Sequence, residues 1–478
     1  MLTSRLSQKR VLLLLLCLLS IVLAACGGAA TSSSAPANFS NGQPGSAGQN
    51  HPTRTSLLSV PMPTTRIDCP LPMLSGRVPV MRPMVLGRDP AVAYINDQGT
   101  ESGANSFGEL KLYNTVTGAP VAGSKVIFGK SVLAHIPNAV ITEAQVSANG
   151  QWLLFVTQMP NAAEIQMVRM DGQGLQTLYC APPGTVQGLQ WSPDASRFTF
   201  SQAAISGLWN LYLFEVASGT IQPELVQSNS ASLGYEARTW FDNNRVYVVG
   251  VTNTYPSPPT QRGLFALDTS KGPHQKPSDL VQIIKPSRSL VCQSFDSDYN
   301  ATILITSQCN QTLPDSSNAS DVLAGPSSIV AQDVTGGSPR VLYKSQAQAV
   351  TQVRMLGHSS NTLLLAVSNI GSTTGALSSS KGGPNGLWKM NLDGSGLTNL
   401  TESDPFSECE FNQFTQYPWS NISLDNRFYS IEVHQVEGKS AAITLQIGLL
   451  NGGSTSVVSF ENGSANQGRL AIAGWTSI

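Results

Sequence analysis

The chain has 478 residues, and its 28 Lys and Arg residues nearly balance its 29 Asp and Glu residues. Charged residues make up 12% of the chain, about half the usual share of a globular protein. This weakly charged composition excludes the broad basic surface that nucleic-acid binding requires, so we expect no nucleic-acid partner. The length suffices for several ordinary domains or for one array of repeats.

The N-terminal segment has the pattern of an export signal. Three basic residues precede an apolar run at 11–23, which is shorter than the ~20 residues that a membrane-spanning helix needs. The run ends in Leu23-Ala24-Ala25-Cys26, which resembles the lipobox of bacterial lipoproteins. The resemblance implies cleavage before Cys26, a thioether-linked diacylglycerol on its sulfur, and usually a third acyl chain on the new amino terminus. An ordinary cleaved signal and an uncleaved anchor remain as alternatives.

We therefore expect three regions along the chain. Residues 1–25 form a lipoprotein signal peptide, and residues 26–56 form a lipidated flexible linker rich in Gly, Ala, Ser, Thr, Pro and Asn. Residues 57–478 form the folded domain. Two or three acyl chains hold a protein stably on a bilayer, so we expect a lipid-anchored protein on the extracytoplasmic side of the cell membrane.

Five cysteines follow the lipobox, and an odd number leaves at least one thiol free or paired with another chain. They are Cys69, Cys180, Cys292, Cys309 and Cys409. None forms a C-x-x-C pair and the five His residues are scattered, so we expect neither a metal site nor a cofactor. Cys292 opens one predicted strand and Cys309 ends the next, which makes them disulfide candidates. A partner for Cys69, either Cys180 or Cys409, stays open.

A repeated signature runs through the folded domain. A large apolar residue is followed by Ser or Asp, a short polar turn, and a strand rich in β-branched or aromatic residues. The signature residues are Val146, Trp191, Phe241, Phe295, Met355, Trp419 and Trp475. Several copies are followed by a second hairpin with an Asp-Gly or Ser-Gly turn, in which Gly takes the positive φ. Four short antiparallel strands make one blade of a β-propeller.

The ends of the domain complement each other. Six complete copies begin at the first six signature residues, and one strand, Arg469 to Ile478, is left over. At the other end three strands, 91–96, 109–113 and 121–128, lack a first strand. The sequence therefore predicts an all-β fold, a seven-bladed β-propeller of four-stranded antiparallel blades closed by the C-terminal strand. The alternative is a first strand at 77–86, with the C-terminal strand as an extra edge.

Two segments carry a family resemblance. Residues 191–200, beginning Trp191-Ser192-Pro193-Asp194, resemble the inner hairpin of TolB-type, WD40-like propeller repeats, and residues 387–400 resemble the outer hairpin. The resemblance implies the fold more than an activity. Its members are scaffolds and binding modules or propellers attached to a peptidase, and no catalytic residue carries over. A genuine TolB has an additional N-terminal α/β domain, for which residues 57–85 are too few.

Repeated aspartates and tryptophans invite a functional interpretation, but a structural one is simpler. In short turns an Asp side chain accepts hydrogen bonds from backbone amides, which we expect of Asp194, Asp242 and Asp298. Stacked sheets need large apolar residues between them. We therefore expect Trp191, Trp419 and Trp475 to pack between blades.

The leading functional hypothesis is a membrane-tethered, non-catalytic module that binds a protein, peptide or glycan. The sequence contains no G-x-S-x-G, no phosphate-binding loop and no H-E-x-x-H, so we expect no catalytic residues of those types. The alternative is a glycan-active hydrolase or lyase on a propeller scaffold. Ser192-x-Asp194 resembles the start of a sialidase Asp-box, but Ser196 replaces the expected Gly and the closing Trp is missing. A structural role in an envelope assembly overlaps the first hypothesis.

Four long polar connections predict where a ligand binds. They join the second and third strands of blades, and in a propeller such loops share one face. These connections are 96–107, 252–262, 307–326 and 368–386. Tyr255 and Trp209 are the ligand-binding candidates on this face. The alternative is that the connections are disordered insertions.

Overall fold

The structure is a computed structural model. It describes residues 83–97, 109–117, 119–120, 140–203, 209–227, 233–252, 262–287, 295–297, 302–312, 322–334, 337–346, 348–356, 361–369, 386–401, 407–410, 421–437, 440–452, 456–463 and 469–478.

The described residues form 28 strands. The first eleven are β1 (Pro90–Asp97), β2 (Glu109–Asn114), β3 (Ala119–Pro120), β4 (Val140–Val146), β5 (Trp152–Gln158), β6 (Ala163–Arg169), β7 (Gln176–Ala181), β8 (Val186–Trp191), β9 (Arg197–Ala203), β10 (Trp209–Glu215) and β11 (Ile221–Leu225). The next eight are β12 (Leu233–Trp240), β13 (Arg245–Thr252), β14 (Arg262–Asp268), β15 (Val281–Ser287), β16 (Phe295–Ser297), β17 (Ile303–Thr312), β18 (Val322–Asp333) and β19 (Arg340–Ser345). The last nine are β20 (Gln348–Met355), β21 (Thr362–Asn369), β22 (Gly386–Asn391), β23 (Thr398–Asn399), β24 (Ser407–Glu410), β25 (Phe428–Glu437), β26 (Ser440–Leu449), β27 (Ser456–Gly463) and β28 (Arg469–Ser477).

These strands form seven four-stranded sheets, and every pairing is antiparallel. Sheet I has the order β28-β1-β2-β3. Sheets II to VII take the remaining strands four at a time in chain order, from β4–β7 to β24–β27. The all-β propeller fold with four-stranded antiparallel blades is confirmed.

The C-terminal strand joins the N-terminal sheet. β28 pairs with β1 from Pro90↔Ser477 to Asp97↔Arg469, which is the position that the counting of unmatched strands predicted. Thr476 also donates its hydroxyl to the backbone oxygen of Gly150 in sheet II, at 2.7 Å. The alternative with a first strand at 77–86 is wrong, because β28 occupies that place beside β1. All residues of the predicted strand at 121–128 lie outside the described part of the chain.

Apolar clusters join the sheets in cyclic order. One cluster links sheets I and II, and a second links sheets II, III and IV. Further clusters link IV with V, V with VI and VI with VII. The last links sheet VII to sheet I through Leu445, Ile447 and Trp475. A middle strand such as β5, Trp-Leu-Leu-Phe-Val-Thr-Gln, is buried on both faces, which explains its nearly continuous apolar run.

In sheets I to VI the first strands lie innermost. β28 contacts β4, β4 contacts β8, β8 contacts β12, and β16 contacts β20. In a propeller the strands that meet their counterparts in neighbouring sheets surround the central axis. The axis is therefore bordered by first strands.

The short turns after the first strands are fixed by a Ser and an acidic or amide side chain. The Ser192 hydroxyl donates to Asp194 at 2.7 Å, and the Asp194 carboxylate accepts the Ser196 backbone N–H at 3.0 Å. Asp242 likewise accepts the backbone N–H groups of Asn244 and Arg245. The turn role predicted for Asp194 and Asp242 is confirmed, and Asp298 lies outside the described residues.

The sixth copy of the signature is displaced from its predicted position. The sequence assigned it to Trp419-Ser420-Asn421, but the turn is built by Ile422-Ser423-Leu424-Asp425. Ser423 donates its hydroxyl to Asp425 at 2.6 Å and accepts the Arg427 backbone N–H at 3.1 Å. Ile422 is 3% exposed and takes the place that Trp191 has in sheet III. The predicted assignment was wrong because two overlapping segments both place an apolar residue before Ser.

The predicted loop at 307–326 is largely a hairpin. β17 runs to Thr312, β18 starts at Val322, and these two residues pair. The ladder of backbone hydrogen bonds does not require apolar side chains, so a polar hairpin can extend a sheet beyond its packed part. The prediction of a loop was wrong for those residues, and 313–321 lie outside the described residues.

The connection between β14 and β15 covers an edge of the neighbouring sheet. It contains two short 3₁₀ turns, Thr269–Lys271 and Pro277–Asp279. Gln275 donates its backbone N–H to the backbone oxygen of Glu224 in sheet III, and its side chain donates to the Glu224 carboxylate at 2.8 Å. Burial raises the pKa of Glu224 to about 7, against the bond from Gln275. The outer edge of sheet III is thus protected from pairing with another chain.

Candidate functional site

The first strands of five sheets carry a β-bulge. In β4 the register passes from Ile141↔Thr157 to Glu143↔Val156, so Thr142 is an extra residue on its strand. Arg238 in β12 and Thr351 in β20 are extra residues of the same kind. Irregularities also occur in β8, between Gln187 and Gln190, and in the β28–β1 pairing. A bulge re-aims side chains and is common beside functional sites.

The bulges bring polar side chains to the axis. Thr142, Arg238 and Thr351 are partly exposed, whereas the residue before each of them is buried. Because the faces of an innermost strand are covered by the neighbouring sheets, we attribute this exposure to the axis. Three more polar residues lie within two positions of these bulges. Of these, Gln187 is exposed, and Glu236 and Gln352 are partly exposed. We call these six residues the axial set: Thr142, Gln187, Glu236, Arg238, Thr351 and Gln352.

The axial set contains one ion pair. The Arg238 guanidinium donates to the Glu236 carboxylate at 2.9 Å, and the two side chains are 33% and 32% exposed. The other four members are neutral groups that both donate and accept hydrogen bonds. The set therefore suits a polar ligand.

Other carboxylates near the axis are bound to backbone groups of the next sheet. Glu143 in sheet II accepts the backbone N–H groups of Gly188 and Leu189, at 2.9 and 2.7 Å, within the irregular part of β8. Burial raises the pKa of Glu143 to about 7, although both backbone bonds lower it. Glu432 in sheet VII similarly accepts the Ile472 backbone N–H of β28 at 3.1 Å.

A buried Asp–Arg pair joins sheets V and VI. Asp296 accepts the backbone N–H of Met355 at 2.8 Å and that of Ser297 at 2.9 Å. Burial raises the pKa of Asp296 to about 7, while the Arg354 charge lowers it. Burial also lowers the pKa of Arg354 to about 10, against the Asp296 charge. These charges are engaged in joining blades, so the axial pair differs from them in being reachable by a ligand.

Tryptophan side chains form hydrogen bonds between neighbouring sheets. Trp191 donates its indole N–H to the backbone oxygen of Gln145 at 3.2 Å, and Trp240 donates to that of Gln190 at 2.9 Å. Trp475 donates to the Ser430 hydroxyl at 3.0 Å. Packing of Trp191 and Trp475 between blades is confirmed, since they are 0% and 1% exposed. Trp419 lies outside the described residues.

Of the two predicted ligand-binding residues, Trp209 lies in the described part of the structure. Trp209 opens β10 and is partly buried, and its backbone oxygen accepts a hydrogen bond from the Gln227 side chain. Tyr255 lies outside the described residues. The axial set was missed because a bulge adds one residue to a strand without changing its composition. A polar residue within a buried run, such as Arg238 between Ala237 and Thr239, was the available signal.

The structure describes some of the cysteines for which the sequence predicted a role. Cys180, on the outermost strand of sheet II, is disulfide-bonded. Cys309 lies on β17, and Cys26 and Cys292 lie outside the described residues, so the Cys292–Cys309 pair stays a prediction. In the described ranges no three His, Cys, Asp or Glu residues come together as metal ligands. No helix in the described part of the chain is long and apolar enough to cross a membrane.

Comparison with known proteins adds solved structures of similar fold. No family model matches the chain, and no curated protein matches its sequence. TolB from Acinetobacter baumannii is 12% identical with a TM-score of 0.36, over 64% of this chain and 61% of TolB. The β-propeller domain of the Trilobed protease from Pyrococcus furiosus is 12% identical with a TM-score of 0.43, over 70% of this chain and 92% of that domain. Oligopeptidase B from Trypanosoma brucei is 10% identical with a TM-score of 0.49, over 80% and 48% of the two chains.

These similarities are distant. The chain spans less than two thirds of the length of TolB, and the identities are far below the level at which function is shared. The fold therefore rests on the sheet topology described above, and the function has to be argued from the site.

Proposed function

We propose that the protein is a membrane-tethered extracytoplasmic β-propeller that binds a polar protein segment or glycan at the axial set. The observation that carries this proposal is the set of bulges, which bring Thr142, Arg238 and Thr351 to the axis. We further propose that the seven sheets form one closed ring of seven blades. The cyclic order of the apolar clusters and the pairing of β28 with β1 support it.

A binding role is favoured over a catalytic one by where the carboxylates lie. A glycan-active hydrolase needs two carboxyl groups beside the same bond. Glu236 is the carboxylate of the axial set, and Glu143 and Glu432 are engaged with backbone N–H groups of the next sheet. The described site therefore offers recognition groups without a paired acid and base.

The tether belongs to the same proposal. Cleavage before Cys26 would leave the lipid on the first residue, and residues 26–56 would space the propeller from the bilayer. The test is fractionation of cells expressing Cys26→Ser, with Cys17→Ser in the apolar run as the matched control. We expect Cys26→Ser to yield a released protein or an unprocessed precursor, and Cys17→Ser to behave as wild type. A normally cleaved Cys26→Ser protein that stays with membranes would contradict lipidation.

Binding at the axis is tested by blocking it. Gln187→Trp and Thr351→Trp place a bulky side chain among the axial residues, and Val341→Trp adds the same bulk on the outermost strand β19, where Val341 is 58% exposed. Each mature protein is immobilised and exposed to envelope extract and to a glycan array. We expect the axial variants to lose a partner that wild type and Val341→Trp retain. Equal recovery by all four proteins would contradict an axial site.

A further inference from the structure

We propose that Arg238 binds a carboxylate of the ligand and that Glu236 competes with this carboxylate for the guanidinium. The inference rests on the proposed function and specifies the ligand chemistry of the axial set. A matching ligand carries a carboxylate on a body rich in hydroxyl or amide groups. An acidic sugar and a peptide chain terminus both have this chemistry.

The first argument is the position of Arg238. It is the extra residue of the bulge in β12, between the pairs Ala237↔Val248 and Thr239↔Tyr247. An unpaired residue on an innermost strand does not follow the alternation of its neighbours, which are both buried. The Arg238 side chain thereby stays one-third exposed.

The second argument is the number of donors that Arg238 offers. A guanidinium has five N–H donors, and within the described residues the Arg238 side chain donates to one Glu236 oxygen at 2.9 Å. Its geometry is not the bidentate arrangement that makes Arg–carboxylate pairs strong. An exposed pair of this kind contributes little to stability, so a ligand carboxylate can displace or join it.

Comparison with other arginines supports this difference. Arg245 is bonded to Asp242 at 2.6 Å and lies 4.2 Å from the Phe241 ring centre. Arg197, in sheet III, donates to the backbone oxygen of Asn243 in a turn of sheet IV. Those arginines fix turns, whereas Arg238 pairs with a residue two positions away on its own strand.

The third argument is the chemistry around the pair. Thr142, Thr351 and Gln352 belong to the axial set and supply hydroxyl and amide groups. The carboxylates of Glu143 and Glu432 are buried and accept backbone N–H groups, so a ligand does not reach them as it reaches Arg238. Among the described residues of the axial set, Arg238 is therefore the cation offered to a ligand.

The test uses matched acidic and neutral probes observed by saturation-transfer NMR. The sugar probes are glucuronate and glucose, and the peptide probes are acetylated trialanine with a free carboxylate and with a terminal amide. Wild type should bind at least one acid more tightly than its neutral counterpart. The pair that shows the difference identifies the source of the carboxylate.

Three variants assign the effect to the pair. Arg238→Gln should weaken binding of the acid by about tenfold or more, because it removes hydrogen bonds to a charged group. Glu236→Gln should tighten binding of the acid by about threefold, because it removes the competitor. Lys344→Gln, which removes an exposed cation on β19, should leave binding unchanged.

The inference can be refuted, because Arg238→Gln and Glu236→Gln should change the affinity for the acid in opposite directions. Weaker acid binding in Glu236→Gln, unchanged acid binding in Arg238→Gln, or no acid preference in wild type each overturns it. If those results occur while Gln187→Trp still abolishes partner recovery, the axial site stands and the carboxylate assignment fails. If Gln187→Trp also leaves recovery unchanged, the proposed function fails with it.

Discussion

We predict from the burial of Glu164 that the protein loses stability as the pH rises from mildly acidic to mildly alkaline values. It lies on β6 with its side chain 0% exposed, and one oxygen accepts the Thr177 hydroxyl at 3.0 Å. Among the described residues, no group donates a hydrogen bond to the other oxygen. Burial therefore raises the pKa of Glu164 from 4.5 to about 7, against the bond from Thr177.

The sign follows from the raised pKa. Below 4.5 the carboxyl is protonated in both the folded and the unfolded protein, so its titration costs no stability. Between 4.5 and about 7 the unfolded protein releases the proton first, so the free energy of unfolding falls as the pH rises. With 1.36 kcal/mol for each unit of pKa difference, the loss is about 3 kcal/mol and is complete above the folded pKa.

Replacement of Glu164 by Gln removes this contribution. We expect the decline in unfolding free energy between about pH 5 and pH 8 to be smaller in Glu164→Gln than in wild type by about 2.5 kcal/mol, since part of the total loss occurs below pH 5. A decline remains, because burial also raises the pKa of Glu143, Glu224 and Asp296 to about 7. The slope is compared rather than the absolute stability, since the amide adds a pH-independent offset.

The assay is guanidinium-induced unfolding followed by tryptophan fluorescence at several pH values. Glu215→Gln, at an exposed position at the end of β10, is the control and should keep the wild-type slope. A Glu164→Gln protein with the same decline as wild type would refute the argument that burial governs this group.

Two further pairs of variants test the packing between sheets and the turns. Trp475→Phe should lower the free energy of unfolding by at least about 1 kcal/mol more than Trp388→Phe, because the buried Trp388 indole N–H has no acceptor within the described part of the chain. Equal losses of stability in thermal melts would contradict the role of the Trp475 indole bond. Ala195→Gly should stabilise by up to about 1 kcal/mol, since Ala195 has φ +56°. Gly150→Ala should destabilise the protein, since Gly150 has φ +69° and a Cβ there would lie 2.8 Å from a leucine side chain. A lower melting temperature for Ala195→Gly together with a higher one for Gly150→Ala would refute the turn assignment.

Local features of the fold could be predicted from the sequence because they depend on adjacent residues. The Asp-Gly turns and the Ser192–Asp194 turn are set by short-range hydrogen bonds, and the alternation of the strands follows from which face of each residue is buried. The place of β28 followed from counting strands at both ends. The displacement of the last signature from Trp419 to Ile422 shows the limit, because only the hydrogen bonds of Ser423 distinguish two similar segments.

The candidate site could not be predicted, because its geometry depends on distant strands. Whether Arg238 is paired is decided by the register of β12 against β13. Glu143 accepts backbone groups 45 and 46 residues away in sequence. The sequence predicted a binding face from the lengths of its connections, but length does not indicate which side chains a bulge turns toward the axis.

The site depends on closure, because the axial residues of different sheets face one axis only if the ring is complete. The most direct test is truncation after Gly468, followed by light scattering, limited proteolysis and a thermal melt, with a peptide of residues 469–478 added back. We expect an aggregating, protease-sensitive product that the peptide restores to a monomer, since β28 pairs with β1 along its length. A truncated protein that stays monomeric, resists protease and melts like the parent would contradict closure by the C-terminal strand.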